Sequence, residues 1–209
     1  IVRAYFPKLE TLLEAYRPVF ANFMVKQTGP ESRMPLHADW TYVEEDKFIS
    51  LGVWSPLVDT TIDNGRLGVI PKSQGFESNH RGPQIPSWFN ENNVYLIEKY
   101  GKLLDVMAGQ VVIYNHKVLH FSPPNQSNTE RPAINLVLAP SEAKLSHYAV
   151  IPPDREVSVF EVKDPNFFLK YDHFAKPDIE SGGLPPPWPD GHPDAIPTGA
   201  PRGWKRARL

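Results

Sequence analysis

Apolar positions along the chain follow two different periods. Over the first twenty residues Leu9, Leu12, Leu13 and Tyr16 recur at helical spacing, which predicts a helix stopped by Pro18. From Phe20 onward the period shortens to two. Strands are predicted near 21–27, 36–39, 48–56, 67–71, 102–107, 110–114, 119–122 and 133–139. Strong turn signals separate them: Thr28-Gly29-Pro30, Asp63-Asn64-Gly65, Ala108-Gly109 and Pro123-Pro124-Asn125. Many short strands joined by turns predict a sandwich, barrel or jelly roll, an all-β-dominated α+β domain, not a parallel sheet with crossover helices.

Two stretches break the pattern. Between 73 and 99 the strand signal lapses over Gly75, Asn79, Gly82, Pro83 and Pro86. A gap this long inside a β domain reads as a lid or binding loop, with an unstructured excursion as the alternative. Beyond Pro140 only 157–162 alternates like a further strand. From Lys176-Pro177 on, Pro and Gly dominate and no core can form. The domain is therefore placed at 1–175 and a Pro/Gly-rich extension at 176–209. The basic end of that extension, Arg202, Lys205, Arg206 and Arg208, reads as a solvated tail.

Composition narrows the chemistry. A length of 209 residues suits one core, and a net charge of −2 offers no general field for nucleic acid or anionic lipid. No apolar run reaches the ~20 residues that span a bilayer, and no signal peptide stands at the start, so the reading is a cytoplasmic protein acting on a small molecule. The absence of Cys excludes disulfides and thiolate sites, leaving His and carboxylate as the strong metal ligands.

Three features then converge. His37-Ala38-Asp39 puts an imidazole and a carboxylate two residues apart, on one face if the segment is a strand. These are two members of a 2-His-1-carboxylate facial triad, which leaves three positions free on Fe(II) for co-substrate and O2. The third ligand must come from a distant strand, and His120 in Val118–Ser122 is the best candidate; His116, in what reads as a turn, is the alternative. Arg131, eleven residues after His120, can return on a hairpin to the adjacent strand and grip a carboxylate with two parallel hydrogen bonds. Ser122 shares the face of His120 and can donate to the same carboxylate. A second such pair, His192 and Asp194, sits in the Pro/Gly tail with no His after it and is discounted. Trp40 and Tyr42 are candidates for the substrate entrance, and Gln27 and Asn135 for polar pocket residues. Asn135 shares the strand parity of Arg131. His80, His147 and His173 read as surface or loop residues.

From Phe23 to Pro140 the chain resembles the phytanoyl-CoA dioxygenase family of iron(II)/2-oxoglutarate oxygenases. The resemblance rests on Met34-Pro35-Leu36-His37-Ala38-Asp39, Ser50–Trp54, Asn64-Gly65-Arg66-Leu67-Gly68-Val69-Ile70-Pro71-Lys72-Ser73, Ala108–Ile113, and Leu119-His120 through Arg131-Pro132-Ala133. It implies a double-stranded β-helix (jelly-roll) core with flanking helices and a metal held by His37, Asp39 and His120. It also implies that Trp54 lies near 2-oxoglutarate while Ser122 and Arg131 hold its far carboxylate. The implied reaction consumes O2 and 2-oxoglutarate, releases succinate and CO2, and hydroxylates a small metabolite. Halogenases of related type have Gly or Ala where Asp39 stands, which argues against halogenation; desaturation and cyclisation stay open. The competing classes are a non-catalytic jelly-roll binding protein, which has no need of all four residues, and a cupin-type isomerase or dioxygenase, which has no need of Arg131.

Overall fold

The computed structural model describes residues 1–76, 80–83, 85–150, 157–164 and 166–168, with the backbone of 169–170 and 204–207. The N-terminal helix α1 (Val2–Glu10) is shorter than its pattern predicts. Leu12 is exposed, and Ala15 takes a left-handed backbone (φ 62°) that turns the chain into β1 (Tyr16–Lys26). Pro18 therefore lies inside a strand instead of ending a helix. A register shift between Pro18 and Phe20 marks its place in the ladder with β8.

The remaining strands follow as β2 (Met34–His37), β3 (Leu51–Pro56), β4 (Gly68–Val69), β5 (Lys102–Leu103), β6 (Val112–Asn115), β7 (His120–Ser122), β8 (Arg131–Pro140), β9 (Ser146–Val150), β10 (Val157–Glu161) and β11 (Trp204–Ala207). One sheet has the order β11-β1-β8-β3-β6, a second β2-β7-β4-β5, and β9 pairs with β10. These are the two main sheets of a double-stranded β-helix. β9 was not anticipated: after Pro140 the short run Ser146–Val150 is half polar and carries no clean alternation. β11 falls in the predicted Pro/Gly extension, where its backbone pairs with residues 23–26 of β1. The remainder of that extension, including His173, His192 and Asp194, lies outside the described residues.

β8, the longest apolar run, forms the spine because both of its faces are covered. Leu136 and Leu138 face outward with Val53 and are buried beneath Leu9 and the apolar side of α1. Arg131, Ala133 and Asn135 have the opposite parity and face the second sheet, in register with Lys26, Met24 and Asn22 of β1. The second helix α2 (Asn93–Tyr100) packs Leu96 and Ile97 against Leu36, Leu119 and Phe121, covering the outside of β2 and β7. Truncating Leu136, which is fully buried, to alanine is expected to lower the unfolding free energy by about 2–5 kcal/mol. Urea denaturation reads this directly, and an unchanged midpoint would place Leu136 outside the core.

Candidate active site

β2 and β7 are antiparallel neighbours, and their register sets His37 directly opposite His120. The two imidazoles lie with ring centroids 4.1 Å apart. Each is held the same way. His37 Nδ1 is 2.8 Å from the carbonyl of Pro35, and His120 Nδ1 is 2.9 Å from that of Val118. A carbonyl only accepts, so Nδ1 carries a proton in both rings, and Nε2 is the nitrogen that offers its lone pair when the ring is neutral. This is how ligating histidines are oriented.

β2 stops at His37, two residues short of the predicted strand end, so Asp39 does not reach the centre by strand alternation. It lies just beyond the strand, and Tyr114 on β6 fixes it by donating its hydroxyl to Asp39 Oδ2 at 2.9 Å. Asp39 Oδ1 lies 3.8 Å from His120 Nε2. One ligand atom from each of His37, Asp39 and His120 falls within 4.8 Å of the others, the only such cluster among the described residues. Two neutral nitrogens and one carboxylate oxygen make a donor set that fits a divalent first-row ion. His116 is not part of that cluster. It lies beyond Asp39, with Nε2 3.9 Å from Oδ2 and Nδ1 2.8 Å from Ser50 Oγ.

The electrostatics follow from burial. Burial pushes His37 and His116 down to about 4, with His120 adding to the effect on His37. Burial alone would raise the Asp39 carboxyl, but His120, His116, His37 and the Tyr114 hydroxyl together hold it below its usual value. Burial, then the Asp39 charge, drives Tyr114 well above 10, so it stays a donor. Histidines whose folded values are depressed favour the folded state when neutral. In metal-free protein their contribution is present above the unfolded value near 6.5 and lost as pH falls from there to about 4. Each histidine is expected to remove about 1.4 kcal/mol of stability per pH unit across that window. Chemical denaturation between pH 7 and 4 checks this, and a flat profile would contradict the buried neutral assignment.

Twelve residues line one cavity of about 70 Å³ between the sheets, His37, Asp39, His120 and Arg131 among them. Arg131 does not arrive by a hairpin, as the spacing suggested. β7 belongs to one sheet and β8 to the facing one, so the 123–130 loop crosses the sandwich and delivers the guanidinium from the opposite wall. Pro123 and Pro124 offer no backbone donors to extend a ladder. Asn125, fully buried, anchors the crossing through Thr129 O at 2.8 Å and a backbone bridge to Gly29.

Arg131 is 2% exposed. Its Nε donates to Asn64 O at 3.1 Å, and the guanidinium carbon lies 5.2 Å from the centre of the Trp54 ring. Nη1 is buried with no hydrogen-bond partner among the described residues. Burial lowers Arg131 only to about 10, so it stays cationic at neutral pH. Lys26, its register partner on β1, adds a second buried cation and donates to Ser32 O at 2.6 Å; burial, then Arg131, lowers it to about 7. A buried guanidinium with an orphaned N–H calls for an anion.

The Asn64-Gly65 turn explains why its motif stands out. Gly65 has φ +73°, and a side chain there would run into Lys26 and the carbonyl of Pro123. The turn presents Asn64 O to Arg131, and Gly65 O accepts the Ser122 hydroxyl at 2.9 Å. The same motif ends at Ser73, whose Oγ accepts Leu119 N–H at 2.8 Å and so holds the strand that carries His120.

Ser122, Trp54 and Asn135 all line the cavity with Arg131, and Asn135 contacts the Asn22 amide at 3.4 Å. Gln27, one residue past β1, lines neither cavity described here. Trp40 lines a second cavity of about 140 Å³ on the other side of His37, together with Arg81, Ile85 and Trp88. Tyr42 is buried in the core against Phe20 and Phe168. His147 is buried among Phe160, Phe167 and Phe168, not on the surface, while His80 is exposed and stacks on Tyr148. The predicted lid stretch is pinned at Arg81. Arg81 Nε donates to Asp39 O at 2.6 Å, and its two terminal nitrogens pair with both Glu45 oxygens. Sequence reasoning missed Lys26, Tyr114 and Arg81. Lys26 carried a signal, a charge at an inward parity of an apolar strand.

A family model described as phytanoyl-CoA dioxygenase (PhyH) matches residues 7–133, more than half of the chain. The chain belongs to the phytanoyl-CoA dioxygenase family. "Phytanoyl-CoA dioxygenase 1" of Oryza sativa subsp. japonica is 28% identical over 122 residues, which are 57% of this chain and 43% of that protein. The chain thus spans less than half the length of that relative. Among solved structures, the epimerase SnoN in complex with Fe3+, alpha ketoglutarate and nogalamycin RO superimposes with a TM-score of 0.56 at 16% identity, over 69% of this chain and 59% of that one. The alpha-ketoglutarate-dependent carbocyclase SnoK from nogalamycin biosynthesis gives 0.49 at 18% identity, over 62% and 53%. The SnoN likeness supports the double-stranded β-helix assigned to this phytanoyl-CoA dioxygenase family member. No helix among the described residues is long and apolar enough to cross a membrane.

Proposed function

We propose that this member of the phytanoyl-CoA dioxygenase family is an Fe(II)- and 2-oxoglutarate-dependent oxygenase that hydroxylates a small molecule. The observation that carries the reading is a single cavity lined both by a two-histidine, one-carboxylate cluster and by a buried, partly unpaired guanidinium. A metal protein with no co-substrate would have no use for Arg131 there.

In this reading His37, Asp39 and His120 hold the metal. Arg131 Nη1 takes the far carboxylate of 2-oxoglutarate, with the Trp54 ring as the wall beneath it. Ser122 lies within the same cavity; its hydroxyl is committed to Gly65 O and its lone pairs stay available. Iron and 2-oxoglutarate bound together supply the oxidising power for C–H attack, with O2 consumed and succinate and CO2 released. The protein contributes position and dryness: Leu67, Phe121 and Trp54 line the cavity and exclude water. The cavity beside His37, with Trp40, Ile85 and Trp88, is the approach for substrate. Among the described residues that line it, Arg81 carries the one fixed charge and is already paired with Glu45, which favours an uncharged group there.

Protein reconstituted with Fe(II) under anaerobic conditions should develop a visible charge-transfer band on adding 2-oxoglutarate, and should form succinate once O2 enters. No band and no succinate from correctly folded protein would sink the assignment. SnoN is an epimerase, so the product decides the outcome. A substrate that gains one oxygen atom supports hydroxylation, whereas an isomer of unchanged mass points to epimerisation.

A further inference from the structure

We propose that Tyr114 is a positioning residue that holds Asp39 as a one-oxygen ligand by occupying the second oxygen of its carboxylate. The inference rests on the metal site described above. The two Asp39 oxygens have separate surroundings: Oδ1 faces His120 Nε2, while Oδ2 accepts the Tyr114 hydroxyl at 2.9 Å and faces His116 Nε2 at 3.9 Å. His116 is fully buried, and its Nε2 has no hydrogen-bond partner among the described residues. A half-buried hydroxyl and a buried imidazole thus both face one carboxylate oxygen, and Oδ1 is the oxygen that faces His120.

The sheet is built to seat this tyrosine. Gly52 in the middle of β3 is the register partner of Tyr114. A Cβ on Gly52 would stand 2.5 Å from Tyr114 Cζ and 2.8 Å from its hydroxyl oxygen, closer than real contacts allow. Glycine weakens a strand interior, and here it leaves room for another side chain to lie flat. Tyr114 also packs against His120, ring centroids 5.1 Å apart.

The consequence is one of counting. An ion with six positions, held by two histidines and one carboxylate oxygen, keeps three for its reactants. A carboxylate that swings to give both oxygens leaves two. Tyr114 opposes that swing.

The test uses Co(II) as a spectroscopic probe in the full chain, with wild type and Tyr114→Phe, which keeps the ring and removes only the hydroxyl. The variant should bind Co(II) about 10–100-fold more weakly, the usual effect of losing a group that orients a ligand. Its visible d–d bands should change with the altered coordination. Gly52→Ala, which displaces the same ring, should change the bands in the same direction. Bands in Tyr114→Phe identical to wild type overturn the inference, whatever the binding constant. Wild-type protein that takes up no Co(II) overturns the metal-site reading and this inference together.

Discussion

Arg131→Ala is expected to weaken 2-oxoglutarate binding by roughly two to four orders of magnitude, on the about 3–5 kcal/mol cost of breaking one half of a buried ion pair. The size of the effect follows from the surroundings of the guanidinium. It is almost wholly buried, spends Nε on Asn64 O, rests on Trp54 and has no partner for Nη1. Without it, a carboxylate in the cavity would lie in a low-dielectric space with Lys26 as the other buried cation of this region among the described residues. Lys26 is already engaged with Ser32 O and is a weak cation near neutral pH. Arg131→Lys should recover part of the loss, because an ammonium restores charge but not the two parallel hydrogen bonds. Metal uptake should hardly change, since Arg131 is not in the ligand cluster. Titrating 2-oxoglutarate into the iron-loaded variant and following the charge-transfer band gives the answer. Wild-type affinity in Arg131→Ala would remove the co-substrate assignment and favour a binding module.

Asp39→Gly is expected to abolish substrate-dependent succinate formation and to lower metal affinity severely. In the proposed metal site Asp39 is the sole anion among three ligands, and its loss would leave two imidazoles facing a divalent cation. It also takes the acceptor from the half-buried Tyr114 hydroxyl, a hydrogen bond worth about 0.5–1.5 kcal/mol. The variant should therefore be somewhat less stable without metal as well as unable to hold it. Isothermal titration with Co(II) and a denaturation curve separate the two effects. Undiminished Co(II) binding by Asp39→Gly would mean that the ion sits elsewhere.

The sequence alone determined the class of fold and the identity of the cluster. Period-two runs between strong turns left few architectures other than two facing sheets, because alternation dictates which face is buried. Lack of cysteine limited candidate ligands to nitrogen and oxygen, and the predicted set His37, Asp39 and His120 is the group whose ligand atoms the fold gathers. The inward parity of Asn135 with Arg131 was also legible, since parity along a strand is a local property. Where local pattern failed, a long-range effect had intervened. Leu12 and Tyr16 continue a helical spacing, yet the left-handed turn at Ala15 and pairing with β8 convert residues 16–26 to strand. Local pattern favours His120 over His116, which reads as a turn residue; the β2–β7 register, which sets His37 against His120, is what brings His120 into the cluster.

Tertiary structure decided how the site is held. Asp39 lies past the end of its strand and is aimed by Tyr114, seventy-five residues away in sequence. Arg131 comes from the sheet opposite His120, because the crossing at Pro123–Glu130 joins two sheets and not two neighbours. Arg81, in the stretch with no strand signal, is clasped to Glu45 and to the backbone of Asp39. Lys26 reaches its place beside Arg131 through the β1–β8 register. These contacts join residues far apart in the chain, and each depends on which strands became neighbours. That choice minimises exposed apolar surface over the whole domain, so no short window of sequence contains it.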